Sequence, residues 1–339
     1  MNDIPQARVH GVGDLRLDRV APPTCGPDDV VVRVRECGIC GSDLGYIAMG
    51  GLTGPDDPMR LGHELWGEVA EAGANVGHVA PGDRVVVQPL SRGVNIGNGG
   101  PEGGFTPLLL VRGAASDPAT TLKLPPQIPD NWGALIEPLS VAQHGANRVA
   151  ARADDRAVIY GGGPIGLSLV QVLRYRGLDN IVVVDLSERR LQAAREMGAI
   201  AVRGDDPGLS EKLIEVHGAE DFFGMSLPAS TVWFEATGVR QVFEAIVATA
   251  GPGSRICLTG LHKEPATVDL VMLLAKEVSL VPAMGYTVEF DEVIDMLASG
   301  ELDPAAMVTH HFPLSDLDTA FATARDTGRA IKVIVDCQG

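Results

Sequence analysis

Between Ala157 and Asp185 the chain reads as an apolar strand, a glycine-rich turn, a helix and a second apolar strand that ends on a carboxylate. Ala157–Tyr160 runs into Gly161-Gly162-Gly163-Pro164-Ile165-Gly166. Pro164–Arg176 then carries apolar residues at helical spacing, and Ile181–Asp185 (IVVVD) is apolar on both faces. Strands of that kind need cover on both sides, which a parallel sheet flanked by helices supplies. The turn has the spacing G-x-G-x-x-G in the strand–turn–helix context that gives it meaning as a dinucleotide fingerprint. Gly161 permits the tight turn, Gly163 lets a pyrophosphate approach the backbone, and Gly166 lets helix and strand pack closely. Pro164 and Ile165 open the helix, whose free N–H groups and dipole favour an anion. Asp185 follows Gly166 by nineteen residues. A carboxylate there accepts hydrogen bonds from a ribose 2′-hydroxyl and repels a 2′-phosphate, so NAD is expected over NADP. Arg189 and Arg190 come next with charge able to neutralise such a phosphate, and Arg190 is counted with the cofactor residues.

The alternation continues downstream. Ser187–Met197 is amphipathic, with Ser187 placed to cap it. Thr231–Glu235, Val239–Ala250, Arg255–Leu258 and a strand near Val278–Pro282 complete the expected doubly wound sheet, assigned to residues 147–286. The first part has another texture. Val30–Glu36, Leu65–Glu71, Asp83–Gln88 and Pro107–Val111 are short strand-like runs divided by Gly and Pro, which predicts an irregular, β-rich, barrel-like antiparallel unit. Ser91–Gly104 reads as a loop, and 287–339 as two helical segments and a last strand, Ile331–Asp336. At 339 residues the chain is long for one core, so an α/β protein of two domains is expected, 1–146 with 287–339 and 147–286.

A net charge of −17 argues against nucleic acid and anionic membranes as partners, since both need a basic surface. No apolar run approaches the ~20 residues that span a bilayer, and MNDIPQARVHGVGDLRL has no secretory pattern. The five cysteines are an odd, scattered set unlike a disulfide framework, which predicts a reducing cytoplasm.

Three separated segments carry metal-ligating residue types: ECGICGSD (Glu36–Asp43), LGHELWGEV (Leu61–Val69) and IEPLSVAQHG (Ile136–Gly145). With the glycine motif they resemble the zinc-dependent medium-chain alcohol dehydrogenases, most of all the sorbitol and butanediol dehydrogenase branch. The likeness runs to the near-terminal HHFPLSDLDTAF. It implies a GroES-like catalytic domain joined to a Rossmann domain, hydride exchange between NAD and a small alcohol or ketone, and one catalytic zinc per chain. It makes Cys40, His63 and Glu137 the metal ligands, with Glu64 behind them or exchanging in. It gives Ser42 the alcohol's proton, has Asp43 orient His63, and places Tyr46 and Tyr286 at the substrate. The chemistry agrees, because a catalytic zinc takes about three N, O or S ligands and keeps one position open. It also implies a homodimer or homotetramer formed through a sheet edge among Arg255–Leu258 and Val278–Pro282.

Some positions depart from the family pattern. Gly45 stands where a proton-relaying histidine is frequent, and Gly285 where sorbitol-type enzymes tend to have arginine. Val86–Glu102 has no cysteine, so no second, structural zinc is expected. Cys37 reads as a packed thiol, and His144 and His310 as structural. Two other readings compete: a zinc-free quinone or enoyl reductase using NADPH, and a non-enzymatic dinucleotide-binding protein. Cys40 and His63 oppose the first, and a complete metal site has no purpose in the second.

Overall fold

Apolar strands that must be covered on both faces form the sheet of one half of the molecule. In this computed structural model, which describes residues 2–54, 56–286 and 288–339, six parallel strands lie in the order Ile200–Arg203, Ile181–Asp185, Ala157–Tyr160, Val232–Glu235, Arg255–Leu258 and Ser279–Pro282. The order reverses beside Ala157–Tyr160, the switch point at which doubly wound sheets bind ligands. Ala157, Val158, Ile159, Val232, Trp233 and Phe234 are fully buried. Helix Pro164–Tyr175 starts from Gly163 with Pro164 in its first turn. Gly161 holds φ +102°, and a Cβ on Gly166 would stand 1.7 Å from the Gly161 carbonyl oxygen. The first and third glycines therefore have the steric duties that the motif assigns them.

Ser187 does occupy the N-cap of helix Glu188–Glu196, but its side chain makes no capping bond. Its N–H donates to Asp185 Oδ1 at 2.7 Å instead, so the aspartate organises that turn. A small antiparallel hairpin, Ala219–Phe222 with Met225–Pro228, precedes Val232–Glu235 and was not expected.

The compact units are Met1–Glu137 with Val308–Gly339, and Pro138–Met307. They differ from the expected limits of 146/147 and 286/287 in where 138–146 and 287–307 fall. Helix Ile136–Arg148 explains the shift: Gln143 Nε2 donates to Glu292 Oε2 at 2.5 Å, His144 Nδ1 lies 2.8 Å from Glu289 Oε1, and Asn147 bonds both acids. Helix Glu289–Ala298 is thereby tied into the dinucleotide-type unit.

In the other unit a seven-stranded sheet runs Val308–Pro313, Lys332–Asp336, Val30–Gly38, Glu64–Ala72, Arg84–Val87, Thr121–Lys123, with Leu108–Val111 also paired to Val30–Gly38. A second sheet joins Asp14–Val20, Ile4–Gly11 and Met59–Arg60. The core between them is mainly aliphatic, with Phe105 set edge-on to Phe321 at 5.6 Å. Val308–Pro313, expected among helical residues, is a strand parallel to Lys332–Asp336, and helix Leu317–Arg325 makes the crossover. The register Ile334↔Gly38 and Gly38↔Glu64 brings the chain's last strand beside the two segments that carry Cys40 and His63. Among the described residues no helix is long and apolar enough to cross a membrane.

Candidate metal centre and cofactor site

Helix Gly41–Met49 begins with Cys40 at its N-cap, and Asp43 Oδ2 accepts the Cys40 backbone N–H at 2.9 Å. This reciprocal cap fixes Cys40 just outside the helix. His63 ends the turn before strand Glu64–Ala72. A thiol, an imidazole nitrogen and a carboxylate oxygen, from Cys40, His63 and Glu64, lie within 4.8 Å of one another. Asp43, His63 and Glu64 are buried. His63 Nδ1 stands 3.5 Å from Asp43 Oδ1, and Nε2 stands 3.4 Å from Ser42 Oγ. Burial alone would disfavour protonation of His63, yet Asp43 and Cys40 outweigh it and hold its pKa well above the ordinary value.

Lys332 is the functional residue that the sequence reading missed. Its ammonium donates to both Glu64 oxygens, at 2.5 and 2.7 Å, and to the Ile39 carbonyl at 3.1 Å. Both side chains are only 1% exposed. Burial opposes the lysine's charge, but Glu64, Cys40 and Glu137 sustain it, leaving its pKa raised. The one signal in the sequence is a lysine inside an apolar strand, IKVIVD. Glu137 is buried in the first turn of helix Ile136–Arg148 and acts on Lys332 electrostatically. It lies outside the 4.8 Å trio, in which the carboxylate is Glu64.

Tyr46, one turn beyond Ser42 on the same helix, donates from its hydroxyl to Asn98 Oδ1 at 3.0 Å. Tyr286 is buried in the other unit with its ring edge-on to Phe290 at 4.8 Å. Cys37 is fully buried, and burial pushes its thiol well up, as a packing role requires. His144 engages Glu289, and His310 Nδ1 lies 3.0 Å from Thr309 Oγ1.

At the C-terminal ends of the parallel strands, Asp185 Oδ2 accepts the Gly162 N–H at 2.6 Å. Arg190 stands 3.8 Å from the same carboxylate, and its guanidinium flanks Gly163. Gly161, Gly163, Pro164, Ile165, Gly166, Asp185 and Arg190 therefore surround one turn. Glu235, unread in the sequence, is fully buried at the end of a neighbouring strand. It accepts the N–H groups of Thr237 and Gly238 at 2.8 and 3.0 Å, and lies 2.8 Å from His262 Nε2.

Residues 26–115 match the family model of the alcohol dehydrogenase GroES-like domain, and residues 164–299 that of zinc-binding dehydrogenases. The chain is 35% identical to sorbitol dehydrogenase of Gallus gallus, over 97% of this chain and 95% of that protein. The crystal structure of 2R,3R-butanediol dehydrogenase from Bacillus subtilis superposes with a TM-score of 0.86 at 28% identity, covering 98% of this chain and 99% of that one. A structure described as a short chain alcohol dehydrogenase of E. coli CFT073 complexed with NADH gives 0.86 at 27% identity, covering 99% and 100%. The chain belongs to the zinc-dependent medium-chain alcohol dehydrogenase family, in its sorbitol and butanediol dehydrogenase branch.

Removing Lys332 strands a buried carboxylate. Lys332→Met should lower the unfolding free energy of the metal-free protein by about 3–5 kcal/mol, measured by urea denaturation. Adding Glu64→Gln should restore most of that loss, and no recovery in the double variant would show that the ion pair is not the cause.

Proposed function

We propose that this enzyme transfers a hydride between a secondary alcohol, diol or polyol and NAD(H), with a single zinc ion at the Cys40–His63 centre. The observation that carries the reading is the convergence of sulfur, nitrogen and oxygen donors within 4.8 Å, in a chain that also carries a dinucleotide-type turn. The donor set fits zinc, which accepts thiolate, imidazole and carboxylate together. Cys40 and His63 supply two ligands. Lys332 neutralises Glu64, which leaves Glu137 as the carboxylate that balances the metal's charge. Glu64 can enter if it gives up Lys332. A zinc ion bound there polarises the alcohol oxygen and lowers its pKa. Asp43 holds the imidazole in orientation from the Nδ1 side. Ser42 Oγ, beside His63, is the group placed to take the alcohol's proton, and with Gly45 one turn on, water carries it away.

NAD is the preferred dinucleotide on this reading. Asp185 is held by two backbone N–H groups, so its charge cannot swing away from a 2′-phosphate. The similar E. coli CFT073 structure was solved with NADH. Tyr46 and Tyr286 are the proposed substrate residues. The five thiols, none in a disulfide, suit a reducing cytoplasm.

We also propose a homodimer at minimum, through the sheet edge at Ser279–Pro282. Arg255–Leu258 is paired on both sides, so among the described residues the edge there is the last strand. Leu270, Val271, Leu274 and Met284, close to it in sequence, are 70–79% exposed. Exposed apolar residues and an open edge are liabilities that a symmetric partner removes.

Metal analysis should find about one zinc per chain. Cys40→Ser should abolish turnover while NAD binding persists, and Glu137→Gln should cost more zinc affinity than Glu64→Gln. Two tightly held ions, or full activity without Cys40, would sink the assignment.

Asp185→Ser should raise the NADP-to-NAD ratio of kcat/KM by about tenfold or more. An unchanged ratio would show that Asp185 does not read the ribose.

Val281→Asp should lower the oligomer mass and the Tm together. A fully active monomer of the unmodified enzyme at micromolar concentration in sedimentation would rule out the assembly.

A further inference from the structure

The loop Ser91–Gly104 is ordered by its own backbone bonds: Ile96 N–H to Pro89, Gly97 N–H to Glu102, and Asn98 N–H to Asn95, at 2.8–3.0 Å. It is seated against the segment that leads into His63. Gly104 N–H donates to the Gly62 carbonyl at 2.8 Å, and a Cβ on Gly97 would stand 2.3 Å from that same oxygen. Asn98 is thereby fixed beside the metal centre. Its side chain bridges two groups: Nδ2 donates to the Ile96 carbonyl at 3.1 Å, and Oδ1 accepts from the Tyr46 hydroxyl at 3.0 Å.

The direction of these bonds is forced. A backbone carbonyl only accepts, so the amide must turn its NH2 toward Ile96 and its oxygen toward Tyr46. The opposite orientation would set two oxygens against each other. An amide oxygen only accepts, so Tyr46 must spend its single proton on Asn98. Tyr46 lies four residues after Ser42, on the same helix face, and the charges of His63, Asp43 and Cys40 all act on its hydroxyl. What remains to it for any molecule at this centre is lone pairs.

We infer that Asn98 is a positioning residue that fixes the hydrogen-bond polarity of the substrate pocket, making Tyr46 an acceptor only. The inference rests on the reading that alcohols are oxidised at the Cys40–His63 centre. An acceptor-only tyrosine bonds a neighbouring hydroxyl on the substrate. A methyl there leaves it unpaired, and a neighbouring carbonyl or carboxylate, which has no proton to give, meets its lone pairs. The pocket therefore favours a hydroxyl beside the reacting carbon and disfavours a hydroxy ketone or hydroxy acid.

The experiment compares kcat/KM for 2,3-butanediol and 2-butanol, which differ by one hydroxyl, in the zinc-loaded enzyme and its variants. Asn98→Leu should lower the diol-to-monoalcohol ratio about fivefold to tenfold, with the loss in KM for the diol. Tyr46→Phe should lose the ratio too, and the Tyr46→Phe/Asn98→Leu pair should lose no more than Tyr46→Phe alone. The rise in Tm that the diol gives the NADH-bound protein should shrink in Asn98→Leu. An unchanged ratio in Asn98→Leu, a further loss in the double variant beyond Tyr46→Phe, or parallel losses on both alcohols would overturn the inference. Failure of the unmodified enzyme to oxidise these alcohols or any longer polyol would instead overturn the reading beneath it.

Discussion

The metal-type centre depends on a strand from the far end of the chain. Lys332–Asp336 pairs antiparallel with Val30–Gly38, which pairs in turn with Glu64–Ala72. That order sets Lys332 against Glu64 with almost no solvent around either. A buried carboxylate without a partner would be several kcal/mol too costly, or would take up a proton. The pairing with Lys332 lets a second acid stand beside Cys40 and His63 in its charged form. It also underlies the proposed division of labour between Glu64 and Glu137. Two free carboxylates and a thiolate would exceed the charge of a divalent ion, whereas one neutralised acid leaves a balanced set.

Lys332 shows why part of this site was hidden in the sequence. The pair joins residues 268 apart, and nothing local to IKVIVD names its partner. Cys40, His63 and Asp43 were legible because their geometry is local: a cap, a turn and a strand entry. Gly161, Gly166 and Asp185 were legible for the same reason, since a six-residue motif and one parallel neighbour define their contacts. Five of the six parallel strands could be read from the sequence, because residues apolar on both faces leave little choice of environment; Ile200–Arg203, with only Val202 buried, could not. The antiparallel unit was harder. Ile4–Gly11 and Asp14–Val20 alternate polar and half-buried residues and carry no strong apolar run. Val308–Pro313 contains two histidines and becomes a strand only by lying along Lys332–Asp336. The compact units differ from the expected limits where helix Ile136–Arg148 gives its amides and histidine to acids some 145 residues away, contacts that no periodicity records.

Asn98 belongs to the same hidden class. The loop that carries it is polar and glycine-rich, and composition alone makes it a linker. Its order comes from close backbone approach to Gly62 and from the bridge to Tyr46, both of which require the folded sheet.

The dinucleotide turn and the metal centre are built in separate units, yet they share one device. Asp185 accepts the N–H groups of Gly162 and Ser187, Glu235 those of Thr237 and Gly238, and Asp43 that of Cys40. Each carboxylate is held by backbone donors, most of them within three residues of it, so folding itself orients the charge. A side chain locked in this way needs no reorganisation when a cation, an imidazole or a sugar hydroxyl comes to it, and the cost of ordering it has already been met. On the proposed reading the same rigidity would make Asp185 selective. A freely rotating aspartate could turn from a 2′-phosphate toward water, but one pinned on both oxygens has no second position to adopt. Selectivity at such a site follows from the backbone that holds the charge as much as from the charge itself.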